Sequence, residues 1–288
     1  MKRIKVLIIT GLIFGLYAQD IANKPKEGYL IKTVWEEYDP KEINFLSPDG
    51  KIMKVLPVWK VEYTKGKEKD MEVRNFSEVL VSENRRYALQ VKESKLVSER
   101  LRETVINRDI TLRLSYFNAE GSVLWRKKFS VWFISPDEEG YGYKVSHSGK
   151  GILFFRSKRV GNNEFRTEVY VFETRGRKVA KVTHNSLMRK FQISPDGGIV
   201  GARVSDGYLF FLNVKTGRTK LVNAEGDGWG GFFILSSSHF PSESGKILIG
   251  WRPLGGEYSK ISGGGIKMKD VTFNSLPDAL SEFFGKWK

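Results

Sequence analysis

Residues 190–222, KFQISPDGGIVGARVSDGYLFFLNVKTGRTKLV, alternate short apolar runs with polar turns. The turns are Ser194-Pro195-Asp196-Gly197, Asp206-Gly207 and Thr216-Gly217. Apolar runs at 188–193, 199–204, 208–213 and 218–222 are rich in Val and Phe, and a glycine-containing turn separates each pair. That pattern predicts a four-stranded antiparallel meander. One meander leaves two edges and a face uncovered, so it needs neighbours.

The same pattern recurs along the chain. Phe45-Leu46, Ser47-Pro48-Asp49-Gly50 and 51–55 repeat its first hairpin; 59–63, a turn at Gly66 and 71–76 repeat its second. Another unit opens with 79–81, Ser82-Glu83-Asn84-Arg85 and 87–91, and closes with 111–117, Asn118-Ala119-Glu120-Gly121 and 123–129. A third has 143–145, Ser146-His147-Ser148-Gly149, 152–156, 168–173, Arg175-Gly176 and 178–182. A last one has 232–235, a turn ending at Ser244-Gly245, 247–251 and 266–271. The turn-opening serines, Ser47, Ser82, Ser146 and Ser194, stand 35, 64 and 48 residues apart. The long interval holds an insertion, 92–109, with Leu96, Leu101 and Val105 among charges, expected as a short helix or a rim loop that touches a partner.

Periods of this size with four short strands each mark a β-propeller. The last unit lacks a fourth strand while 29–35 is one too many. The expected fold is therefore an all-β propeller of five four-stranded blades (four to six allowed), closed by that N-terminal strand. The blades fall at about 42–76, 78–129, 141–183, 187–222 and 230–272 plus 29–35, within a domain 19–273. Residues 274–288 read as an amphipathic helix, capped by Ser275 with Asp278 three residues on. Leu276, Leu280, Phe283, Phe284 and Trp287 share one face. It would pack over the propeller, or meet a partner or a membrane surface.

The fourth unit carries Thr183-His184, then Ile193-Ser194-Pro195-Asp196-Gly197, Ser205-Asp206-Gly207 and Leu212-Asn213-Val214-Lys215-Thr216-Gly217. In this it resembles the WD-repeat and TolB-like β-propeller families. Thr183-His184 and Leu212-Asn213 stand where WD repeats carry Gly-His and Trp-Asp, so the relative is divergent. The Ser-Pro-Asp-Gly turn is more similar to exported bacterial propellers. The resemblance implies a hydrogen bond between His184 and Asp206 and an envelope-associated protein partner. It says little of activity, because propellers host many functions.

Composition narrows the setting. Hydrophobic residues make up 40% and aromatics 13%, enough for a sizeable core. There is no cysteine, which excludes disulfides, thiolate metal sites and lipids attached at cysteine. Residues 1–18, MKRIKVLIITGLIFGLYA, combine a basic start, a short apolar run and a small residue before Gln19-Asp20. They read as a cleaved signal peptide, with an uncleaved anchor as the second reading because Leu16 is bulky for the third position before the cut. The protein is thus expected in the periplasm or secreted. Its net charge is +15; the three basic residues of 1–18 leave with the signal, so 45 basic against 33 acidic gives +12. This favours anionic surroundings, or serves only solubility.

Candidate chemistry is sparse. His147, His184 and His239 lack metal-binding spacing, so no metal or cofactor is expected. No Gly-x-Ser-x-Gly elbow occurs, and the turn serines suit bonds to their own backbone. Ser262-Gly263-Gly264-Gly265 lacks the lysine of a phosphate loop. Asp39, Glu78, Asp137, Glu138 and Asp227 fall near starts of first strands, with Trp132, Tyr141 and Trp229 nearby. They define the alternative reading, a polysaccharide hydrolase with two carboxylates at the channel rim. Basic residues concentrate in turns: Lys65, Lys67 and Lys69; Arg126-Lys127-Lys128; Arg175, Arg177 and Lys178; Lys215, Arg218 and Lys220; and Lys51, Arg85-Arg86 and Lys150. A basic face is expected to dock on anionic lipid or a phosphate-bearing polymer; nucleic acid is not the expected partner of an exported chain. The favoured reading is a monomeric, non-catalytic binding or scaffold module for an envelope protein or anionic polymer.

Overall fold

A computed structural model describes residues 26–37, 39–66, 71–98, 109–132, 140–162, 164–204, 208–223, 229–236 and 247–253. The segment 1–18 expected as a signal peptide, the run 266–271, the helix expected over 274–288 and the Asp206-Gly207 turn lie outside them. Every regular element among the described residues is a strand, and each sheet is an antiparallel meander. The first sheet is β1 (Leu30–Glu36), β2 (Asp39–Leu46) and β3 (Ile52–Pro57). The second is β4 (Trp59–Lys65), β5 (Met71–Val81), β6 (Tyr87–Ser98), β7 (Asp109–Asn118) and β8 (Val123–Trp132). The third is β9 (Tyr141–Val145), β10 (Gly151–Arg159), β11 (Phe165–Glu173) and β12 (Lys178–His184). The fourth is β13 (Met188–Ile193), β14 (Ile199–Val204), β15 (Tyr208–Asn213) and β16 (Thr219–Asn223), and β17 (Trp229–Ser236) pairs with β18 (Ile247–Pro253). This succession of blade-like meanders is the all-β, propeller type of architecture.

The third and fourth sheets follow the expected strands closely. The N-terminal part differs in three respects. First, β1 pairs with β2, from Leu30↔Leu46 to Glu36↔Asp39, which places it in the first sheet; the run 266–271 that it was expected to join lies outside the described residues. Only two residues separate the partners, so this hairpin closes at far lower entropic cost than a join between chain ends. Second, the strands expected at 71–76 and 79–81 are one strand, β5, paired without a break from Met71↔Ser98 to Val81↔Ala88. No glycine or proline interrupts 71–81. The first two blades are therefore redrawn as β1–β3 and β4–β8. Val58 is the one residue between β3 and β4 in the chain; its N–H donates to Lys41 O (2.9 Å) and its carbonyl accepts from Val79 N (2.7 Å). Third, residues 92–98, expected as helix or loop, extend β6, because the long β5 offers them an edge.

Four serine turns are built alike, three of them closing on the fifth residue after the serine and the Ser47 turn on the fourth. The N–H groups of Ser47, Ser82, Ser146 and Ser194 donate to the carbonyls of Lys51, Tyr87, Gly151 and Ile199 at 3.0, 3.0, 2.9 and 2.8 Å. The fourth turn residue, Gly50, Arg85, Gly149 or Gly197, donates back to the serine carbonyl and has φ of 81°, 55°, 69° or 82°. That left-handed region explains glycine in three turns and leaves Arg85 as the strained member. The buried hydroxyls of Ser82, Ser146 and Ser194 accept from Tyr87, Gly151 and Ile199 N–H at 3.1, 2.9 and 2.8 Å. These serines are turn-formers, as expected from the sequence.

The chain divides into two compact units: 1–130 with 174–177, and 131–173 with 178–288. In the first, Ile31, Ile43 and Phe45 of the first sheet pack on Val79, Ala88 and Phe117 of the second. In the second, Leu153, Phe155, Val169 and Val171 pack on Met188, Phe191, Val200, Ala202 and Phe210, with the Phe155 and Phe191 rings stacked at 3.9 Å. The turn before β14 also touches the start of β10 backbone to backbone: Ser148 N donates to Pro195 O at 2.9 Å. A Cβ on Gly197 would stand 2.8 Å from Gly151 Cα.

Candidate functional site

One face of β6 and β7 changes character along its length. At one end Ala88 and Phe117 face each other and belong to the first unit's core. Two residues on, Gln90 opposes Ser115; two further, Lys92 opposes Arg113. Strand periodicity keeps these three rows on one face. Arg126 and Lys128, two residues apart on β8, add to the charged end, and Lys54 and Leu56 of β3 cover the apolar end. Together they line an open cavity of about 530 Å³, with Val123, Leu114 and Lys127 completing the wall.

Six of its twelve lining residues are cationic and none is acidic. Lys92 and Arg113 sit directly opposite each other, a placement that costs stability for like charges. Neither they nor Arg126 and Lys128 make an ion pair among the described residues. Lys54 is partly buried; its ammonium donates to Gly121 O (3.1 Å) and lies 4.1 Å from the centroid of Phe117. Burial, then the nearby Arg126 charge, pushes its pKa below the usual lysine value. The wall of the cavity is thus a concentrated positive field to which no lining carboxylate contributes, suited to an anion.

The residues singled out from the sequence are distributed differently. Arg126, Lys127 and Lys128 line the cavity; Lys54, Gln90, Lys92, Arg113 and Ser115 were missed. Polar residues at alternate positions, 90/92 and 113/115, within otherwise apolar strands were the available signal. Arg175 and Arg177 belong to the first unit, while Lys178, Lys215, Arg218 and Lys220 belong to the second. Lys215 and Arg218 are exposed on the β15–β16 turn, which Asn213 closes by accepting from Thr216 N at 2.9 Å.

Among the expected rim acids, Asp39 begins β2 opposite Glu36. Glu78 is not at a strand start: it lies within β5, opposite Trp59 and Val91, because β5 is continuous. Neither lines the cavity. Asp137, Glu138 and Asp227 lie outside the described residues; Trp229 opens β17, and its side chain is likewise not described. Trp132 is exposed, with the Lys158 ammonium 4.6 Å from its ring centroid, and Tyr141 begins β9 opposite Arg156. Arg156 is bound to Glu168 (Nε, 2.6 Å), which also accepts from Tyr170 Oη (3.0 Å) and pairs with Lys181 (3.5 Å). Burial raises the Glu168 pKa, but the Arg156 and Tyr170 hydrogen bonds and the two cations outweigh it and hold the carboxyl below its usual range.

His184 lies on β12 with its ring edge toward Phe210 (5.9 Å), and burial lowers its pKa. Its expected partner Asp206 is outside the described residues, as is His239. No group of three or more acidic or histidine side chains converges as a metal site among the described residues.

No protein-family model and no curated protein matches the chain. Solved structures similar to it include the β-propeller domain of Cps50 (Swd1) from Myceliophteria thermophila, at 9% identity over 79% of this chain and 78% of that one, with a TM-score of 0.37. KlHsv2 with its loop 6CD replaced by a Gly-Ser linker is similar at 9% identity over 78% and 72%, with a TM-score of 0.31. The class defined by the sheets and the cavity is an all-β protein of propeller-type meanders with a cation-lined cleft in its first unit.

Proposed function

We propose that the protein is an exported, non-catalytic binding module of the TolB-like kind that holds an anionic partner in the cell envelope, either a polymer or an acidic protein surface. The observation that carries this reading is the cavity of the first unit, with six cations and no carboxylate in its wall. Export rests on the basic-apolar segment 1–18 and the absence of cysteine. A binding role is favoured over hydrolysis because the turn serines serve their own backbone and the wall of the cavity offers no general acid or base of the carboxylate type.

The test is retention of mature protein, residues 19–288, by its envelope extract and by immobilised heparin. It is run at low and high salt beside the triple variant Arg113→Ala, Arg126→Ala, Lys128→Ala. Retention that falls with salt and falls at least tenfold in the variant supports the reading. Equal retention of both proteins refutes it.

A further inference from the structure

We infer that the cavity binds a sugar phosphate carrying two phosphate groups one sugar apart. The inference rests on the anionic-partner reading and gives that partner its chemistry. The wall is graded from charged to neutral to apolar along β6 and β7. At the outer end Lys92 and Arg113 stand on neighbouring strands, with Arg126 and Lys128 on the next. Neighbouring strands are about 4.8 Å apart, so these groups form a cationic row roughly 10 Å wide. Guanidinium forks match the oxygens of a phosphate in paired hydrogen bonds, and a dianion relieves the repulsion between Lys92 and Arg113.

Two residues inward the wall becomes neutral. Gln90 and Ser115 oppose each other, and Gln90 Nε2 donates to Ser77 Oγ at 3.4 Å, which orients its amide. An amide and a hydroxyl both donate and accept, as sugar hydroxyls do. Two residues further lies the Phe117 row, with the Lys54 ammonium above the ring. Lys54 carries three N–H donors and spends one on Gly121 O, so it can meet a second anionic group. Four residues of strand separate the two charged ends, a rise of about 13 Å, shortened by side chains reaching inward. A cation, neutral, cation sequence over that length matches phosphate, polyol, phosphate. A simple anion would use only one end.

The experiment is isothermal titration of the full-length mature protein with glucose, inorganic phosphate, glucose 6-phosphate and glucose 1,6-bisphosphate. The bisphosphate is expected to bind at least tenfold more tightly than glucose 6-phosphate, and glucose not at all. Arg113→Ala should weaken both phosphosugars at least tenfold. Lys54→Met, which keeps the packing length, should remove only the advantage of the bisphosphate. Competition with phosphomannan separates the sources: displacement at a lower phosphate concentration than the free bisphosphate identifies a polymer, and the reverse a free metabolite. Both keep the site. Inorganic phosphate binding as tightly as the bisphosphate overturns the inference, as does binding indifferent to Arg113→Ala, or binding only to phosphatidylglycerol vesicles. If envelope retention depends on the cavity while glucose 1,6-bisphosphate fails to bind, this inference alone falls. If both are indifferent to the cavity variants, the proposed function falls with it.

Discussion

The tetrapeptide Ser-Pro-Asp-Gly occurs twice in this fold with nearly the same glycine φ and different surroundings, which makes a controlled test of turn packing. Gly50 has φ 81° and Gly197 has φ 82°. An alanine at either position meets the same left-handed strain, about 1 to 2 kcal/mol. A Cβ on Gly50 would have nothing within 4 Å, whereas on Gly197 it would stand 2.8 Å from both Cα and N of Gly151. Those are backbone atoms, so no side chain can swing away, and overpacking adds about 1 to 3 kcal/mol. Gly50→Ala should therefore cost about 1 to 2 kcal/mol and Gly197→Ala about 2 to 5 kcal/mol. The difference between them is the packing part, about 1 to 3 kcal/mol, which at roughly 2 to 4 °C per kcal/mol is about 2 to 12 °C in Tm. Gly151→Ala supplies the third corner, since its Cβ would meet Gly197 Cα at 2.7 Å and its φ is not in the left-handed region. Its cost should be the packing part alone. Differential scanning calorimetry is the assay, with each variant read in the transition of its own unit. Equal losses for Gly50→Ala and Gly197→Ala would refute the claim that stacked turns tie the third sheet to the fourth.

Arg85 occupies the left-handed position that glycine fills in the sister turns, so Arg85→Gly should stabilise the first unit by about 0.5 to 1 kcal/mol, seen as a rise in Tm. Glu168 has its carboxyl held below the usual range, so its contribution is present above the ordinary carboxylate pKa and is lost as pH falls through the lowered one. Glu168→Gln should cost about 1 to 2 kcal/mol at neutral pH in urea unfolding and flatten the acid limb of the stability profile. For Lys54 the sign reverses: a pKa lowered by burial and by Arg126 penalises the charged form, fully below the lowered pKa and no longer above the ordinary lysine value. Stability of the free protein should rise with pH through that alkaline window, and Lys54→Met should lack the rise.

The strands of the third and fourth sheets and their described turns were legible in the sequence because every instruction there is local. Alternating apolar runs specify strands, and Ser-Pro-Asp-Gly closes a turn by bonds among residues at most five apart. The identity of the serines as turn-formers could be read for the same reason. Which strand joins which sheet was not local. The spacing of 71–76 and 79–81 resembles two strands, but 71–81 can stay extended, and its pairing with β6 decides that it does. Residues 29–35 pair across a two-residue connection with 39–46, a membership the repeat pattern did not show, while the run 266–271 they were expected to join lies outside the described residues. Charge in the cavity was half visible: Arg126-Lys127-Lys128 form a run, whereas Lys54, Lys92 and Arg113 come from separate strands. The sequence by itself determined the strand-forming segments, the turn chemistry and the positive charge, since these depend on neighbours along the chain. Tertiary structure alone decided the sheet memberships and brought the scattered cations into one cleft, because strand pairing and face-to-face packing act between residues the sequence keeps far apart.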